Sequence, residues 1–274
     1  MKRLLHVNVS KMFSSIYFIC SLICSAGMAF FSVYIVLNLS SVLESVSENI
    51  FEMFKVGNAY NLGIVKINSI DELASVTFSD IIVNTLNTSG YQMIIVVFIC
   101  LFLTSDFRYG NIIRYISKGF SRVAIYISYI LACCIFTLVN SVVYLISFTV
   151  SSAVLGIAVN FSFSSDVLYD ILIQNVMLMA FSVMCVTIVF TLRKSVSSLL
   201  TCFTLIFVLP ETFSFLNILY GIEIPYEKIW LLSRLYDIGT VHACSADIAV
   251  IAVTVFFSVA AGVLVSKKIK IKTI

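Results

Sequence analysis

Charge is what this chain has least of. Lys, Arg, Asp and Glu make up 11% of its 274 residues, against about 25% in soluble chains. So few charges cannot cover a water-facing surface, which excludes a soluble globular domain and a disordered chain alike. Proline is nearly absent, at two residues, and no collagen-like repeat occurs. What fills the sequence is apolar: 61% of residues are hydrophobic and mean hydropathy is +1.09. The composition is that of an all-α membrane protein that crosses the bilayer several times.

A bilayer core of about 30 Å needs about 20 apolar residues in a helix. On that measure the sequence predicts six transmembrane helices, over residues 16–39, 86–105, 123–147, 169–192, 195–218 and 248–265. The first run is longer than the h-region of a cleavable signal peptide, and it is read as a permanent span. The fifth is interrupted by Pro210 and Glu211.

The charges sort by side. With the N-terminus placed inside, 13 of the 17 Lys and Arg residues fall on the cytoplasmic face, and of the 14 acids only Asp106 joins them. The positive-inside rule therefore puts both termini in the cytoplasm. Seven of the eight cysteines lie in spans, where they act as small hydrophobes, and Cys244 alone lies in an outer loop. The two histidines, His6 and His242, fall on opposite sides. Neither set has the spacing of a metal site.

Residues 1–13 mix Leu4, Leu5, Val7 and Phe13 with Lys2, Arg3 and Lys11, as an interfacial helix does. A plain positive-inside anchor has the same composition. Residues 40–85 form an outer segment expected to be small and mostly helical. Leu43, Val46, Ile50 and Phe54 recur at helical spacing, and Ser69 to Glu72 has capping-box form. Residues 219–247 form a second outer segment, with Trp230, Leu232 and Leu235 suited to the interface.

The inner loop 106–122 is the most informative stretch. It is basic and has two glycines, yet it keeps Phe107, Ile112, Ile113, Ile116 and Phe120. A loop that only reverses the chain needs none of these. A short helix from about Tyr109 to Ser117, stopped at Gly119, would present an apolar ridge with basic ends to a cytoplasmic partner. A helix lying flat on anionic lipid has the same composition.

Asp106-Phe107, Gly110, Ile112, Ser117-Lys118-Gly119, Ser121-Arg122 and Ile125-Tyr126 follow directly after the second of six spans. In that position they resemble the membrane subunits of ABC type-2 exporters. The closest likeness is to small bacterial permeases that export antimicrobial peptides or give immunity to them. The resemblance implies the ABC type-2 exporter fold with the outer segment 219–247 re-entrant, location in a bacterial plasma membrane, and a coupling helix docked on a nucleotide-binding subunit. Gly110, Asn111, Ile112, Ile113, Arg114, Lys118 and Gly119 match that region. It also implies a second permease copy, identical or not, and ATP with Mg²⁺ held by the partner. The cargo of such permeases is a hydrophobic or amphipathic peptide.

No G-x-x-x-x-G-K-[ST] phosphate loop occurs, so a cofactor-free, non-enzymatic permease is expected, with no nucleic-acid partner. No nucleophile–base pair or paired carboxylate appears in the spans. Intramembrane polar residues face a pathway or a bundle interior. Glu211 either lines the pathway or sits in the outer headgroup region. Asn140, Gln174 and Asn175 serve the pathway or join helices by hydrogen bonds. Two other classes stay open: an ion-coupled carrier, which keeps buried ionisable residues at mid-membrane, and a membrane receptor whose outer segment binds a peptide.

Overall fold

The structure is a computed structural model, and it describes residues 2–45, 55–56, 59–61, 66–67, 82–83, 86, 88–155, 165–209, 212, 230–238 and 244–267. The chain is predominantly helical. Helix α1 (Lys2–Phe13) leads by a tight turn into α2 (Ile16–Ser45). Then come α3 (Ser89–Arg108), α4 (Asn111–Ser117), α5 (Arg122–Val154), α6 (Ser165–Leu192), α7 (Ser195–Phe203), α8 (Leu231–Asp237) and α9 (Ser245–Lys267).

Five described helices are long and apolar enough to cross a membrane: α2, α3, α5, α6 and α9. This is a multi-pass helical membrane protein by length and composition. The segment expected as the fifth span is described only in its first part. After nine residues of α7 the backbone widens into a π-helix over Thr204–Val208. Thr201 and Thr204 donate to the carbonyls four residues back, Ser197 and Leu200, at 2.9 Å each, and such back-bonding distorts helices. Pro210, next in the sequence, has no N–H to donate. Among the described residues this helix runs to Leu209, Thr212 donates its hydroxyl to the Val208 carbonyl at 2.7 Å, and Pro210 and Glu211 lie outside the described residues.

Other boundaries move as well. The third span runs to Val154 and its 33 residues reach about 50 Å, longer than one bilayer crossing needs. The second begins at Ser89 because Thr88 caps it, accepting from the Tyr91 N–H. Where a helical outer segment was expected, the described residues include short antiparallel strands, β1 (Lys55–Val56), β2 (Ala59–Asn61) and β3 (Lys66–Ile67). The Ser69 capping box and most of the re-entrant segment lie outside the described residues.

The core sits between α3, α5 and α6. Phe98 stacks on Phe136 with centroids 3.6 Å apart, and Tyr91, Tyr126, Tyr129 and Tyr144 are fully buried. Their hydroxyls need partners in a dry interior. Tyr126 meets Thr187 at 2.8 Å and the Ser258 carbonyl at 3.2 Å. This joins α5, α6 and α9, and it is possible because Gly262 offers no Cβ where Tyr126 lies. Helix α9 otherwise turns most of its length outward, with Val253, Phe256, Phe257 and Leu264 exposed.

Candidate functional site

One end of the bundle gathers the start of α2, the ends of α3, α6 and α9, and the start of α5. The Arg122 guanidinium donates to the Lys267 carbonyl at 3.1 Å across it. This end carries α1 and α4, and with them most of the described Lys and Arg residues.

Helix α1 buries Leu4, Asn8 and Met12, one residue per turn, and leaves Lys2, Arg3 and His6 exposed. The stripe packs against α5. Asn8 does more than fill space: its amide donates to the Ser128 hydroxyl at 2.8 Å and its carbonyl accepts from the Tyr115 hydroxyl at 3.3 Å. One side chain thus ties α1 to α5 and α4. Burial raises the Tyr115 pKa above the ordinary phenol value.

Asp106, in the last turn of α3, is fully buried. A carboxylate there faces the negative end of its own helix dipole and has lost its hydration, so it needs donors. Three elements supply them. Lys11 from α1 forms an ion pair with it. Tyr129 from α5 donates a hydroxyl at 2.5 Å, and Asn111, the first residue of α4, donates its amide at 2.7 Å. Two effects act on Lys11. Burial pushes its pKa below the ordinary lysine value, and the adjacent carboxylate favours its charged form.

Helix α4 is bounded by two left-handed glycines, Gly110 at φ +68° and Gly119 at φ +85°. L-residues with a Cβ resist that conformation, so the glycines allow the chain to leave α3, make two turns and enter α5. Ile112 faces inward and is buried, while Ile113, Arg114 and Lys118 are exposed. The expected ridge is thus divided: Ile112 belongs to the base, and Ile113 with Tyr109 forms the outward apolar part. Below it Phe107 meets Phe190 edge-on at 5.3 Å, and Phe190 also contacts Tyr126 and Tyr129. The loop residues singled out from the sequence, Gly110, Asn111, Ile112, Ile113, Arg114, Lys118 and Gly119, therefore form one small, firmly based projection.

The intramembrane candidates lie elsewhere. Asn140 is enclosed, its carbonyl accepting from Ser25 at 2.8 Å and its amide donating to Tyr91 at 3.2 Å. It knots α2, α3 and α5. Asn175 donates to the Ile171 carbonyl of its own helix at 2.8 Å. Gln174 donates to the Val83 carbonyl at 3.0 Å. These residues do not converge on one cavity.

Sequence reasoning passed over Lys11, Asn8, Tyr115 and Tyr129. One signal was present: Asp106 is a lone acid among inner bases. Its partners come from three separate elements, and sequence spacing cannot show that. No family model matches the chain, and no curated protein does either.

Proposed function

We propose that this chain is the membrane-spanning permease subunit of an ATP-driven ABC exporter in a bacterial plasma membrane. The observation that carries the reading is α4, a short helix with exposed Ile113, Arg114 and Lys118 on a base pinned by buried Asp106. A helix meant to lie on lipid needs no such anchor. A helix that transmits force does. The resemblance of the loop to coupling helices supplies the partner, a nucleotide-binding subunit that holds ATP and Mg²⁺.

Docking on α4 pushes in two directions. Through Asn111–Asp106–Lys11 and Tyr115–Asn8 the load passes to α1. Through Phe107–Phe190 it passes to α6. Tilting of those helices opens the outer side of a pathway formed with a second permease copy, identical or homologous. The apolar spans suit a hydrophobic or amphipathic peptide as cargo. The segment 195–218 supplies the fifth of the six crossings in this reading.

Affinity purification of the tagged chain from its native membrane tests the proposal. A soluble subunit with a phosphate-binding loop should co-purify with vanadate-sensitive ATP hydrolysis. Ile113→Asp with Arg114→Asp, both at exposed positions, should release it without lowering the amount of inserted chain. A chain that purifies alone, with no ATPase, overturns the reading.

A further inference from the structure

A cleft of about 620 Å³ opens at the basic end, between the start of α2, the last turns of α3 and the α6–α7 junction. Arg108, Arg193 and Lys194 line it, and no carboxylate does. Among the described residues the ion pairs use Lys11 and Arg234, so these three cations converge without an acidic partner. Like charges held together unpaired raise a strong local positive potential, which an anion relieves.

The backbone at the junction favours the same reading. Arg193 closes α6 in the left-handed conformation at φ +55°, its N–H bonded to the Val189 carbonyl at 2.8 Å. Glycine is the ordinary residue at such a helix end, and arginine occupies it at a conformational cost. What arginine adds is a guanidinium in the cleft. Helix α7 then starts with no side-chain cap on its first N–H groups, and Ser195, Val196 and Ser197 line the cleft. Those N–H groups supply further donors to an anion already drawn by the cations.

The surroundings identify what carries the anion. Below the cations the wall turns apolar, with Leu101 and Val196, and Tyr17 and Tyr109 stand exposed at the rim. From Val196 a stripe of exposed Leu200, Phe203 and Phe207 runs along α7 and into the π-helix that follows it, at three- and four-residue spacing. An acidic protein segment has no use for that stripe. A lipid does: its phosphate sits among the cations, its glycerol against Val196, and an acyl chain along α7. We propose that the cleft binds the phosphate group of an anionic phospholipid of the inner leaflet.

The test uses the full chain in a neutral detergent, with thermal unfolding followed during titration with dioctanoyl phosphatidylglycerol. The expected result is a saturable rise of the midpoint in the wild type and none with dioctanoyl phosphatidylcholine. Arg193→Gly should raise the half-saturating concentration about fivefold, the effect of one cation near a membrane phosphate. Because glycine adopts the Arg193 backbone freely, that variant should keep the wild-type midpoint without lipid. Adding Arg108→Gln and Lys194→Gln should weaken the response further. Lys2→Gln with Arg3→Gln removes exposed charge from the same end outside the cleft and should change nothing. Inorganic phosphate separates the two sources of the anion: inertness at millimolar concentration supports the lipid, whereas saturable competition with the same variant dependence overturns it in favour of free phosphate. An equal lipid response in the wild type and the triple variant overturns the site.

Discussion

Among the described residues Asp106 and Asp247 are the carboxylates with no exposure at all; they lie at opposite ends of the bundle and are satisfied in different ways. Asp247 sits in the first turn of α9, where the helix dipole favours a negative charge. Its partners lie within 13 residues of it in the chain: Arg234 of α8 at 2.6 and 2.7 Å and the Cys244 N–H at 2.8 Å. Asp106 sits in the last turn of α3, where the dipole opposes it, and it gathers Lys11, Asn111 and Tyr129 from three elements. The first is a local clamp that holds α8 to α9. The second is a junction that ties α1, α4 and α5 to the end of α3.

Asp106→Ala gives the sharpest test of that contrast. It leaves Lys11, Asn111 and Tyr129 without their acceptor, and loss of one partner of a buried pair costs about 3–5 kcal/mol. Thermal unfolding in detergent should show the loss, and trypsin should cut faster at Arg108, Arg114 and Lys118. Asp247→Ala should leave cleavage at those three sites unchanged; accelerated cleavage there would erase the distinction between clamp and junction.

Gly110→Ala comes next in size. No atom lies within 4 Å of the added Cβ, so the cost is conformational, about 1–2 kcal/mol at a left-handed position. The same substitution at Gly27, which has equal room and an ordinary backbone, should cost nothing measurable. Equal midpoints for the two variants would remove the argument that α4 depends on its left-handed ends.

Asn140→Ala is a smaller change. It deletes the mid-bundle bonds to Ser25 and Tyr91, and membrane hydrogen bonds are worth about 0.6 kcal/mol each. A loss as large as that of Asp106→Ala would place the critical junction at mid-membrane instead.

The smallest effect is the alkaline limb. Tyr115 has its pKa raised by burial from 10.0, so above that value the unfolded chain releases the proton first and stability falls as pH rises. Tyr115→Phe should flatten that limb above pH 10.0. An identical slope in the wild type and the variant would mean that the Asn8–Tyr115 bond does not register.

Much of the architecture was legible from the residues because lipid solvation is a matter of composition. Runs such as Val167–Leu192 cross a bilayer whatever they pack against, and a helix between Gly110 and Gly119 follows from local chemistry. The partly legible parts are instructive. Ile112 and Ile113 are identical in type and adjacent, yet one is buried and the other exposed. Only the direction in which α4 leaves Gly110 separates them. Residues 195–218 are apolar enough for a span, and composition does not show the π-helix over Thr204–Val208 that follows the back-bonding threonines.

By itself the sequence determined the solvent of this protein, the places of the five long apolar helices found among the described residues, and which end of the bundle is basic. Each of these depends on summed transfer energies and on charge counts, which need no partner. Tertiary structure alone decided that Lys11 meets Asp106, that Asn8 joins α1 to α4 and α5, and that Arg108, Arg193 and Lys194 share one cleft. The physical reason lies in the bilayer. A helix such as α9 is apolar on its lipid face and on its packed face alike, so hydrophobic periodicity cannot say which side meets a neighbour. That choice falls to shape and to a few polar groups, and both take effect only when the helices are together.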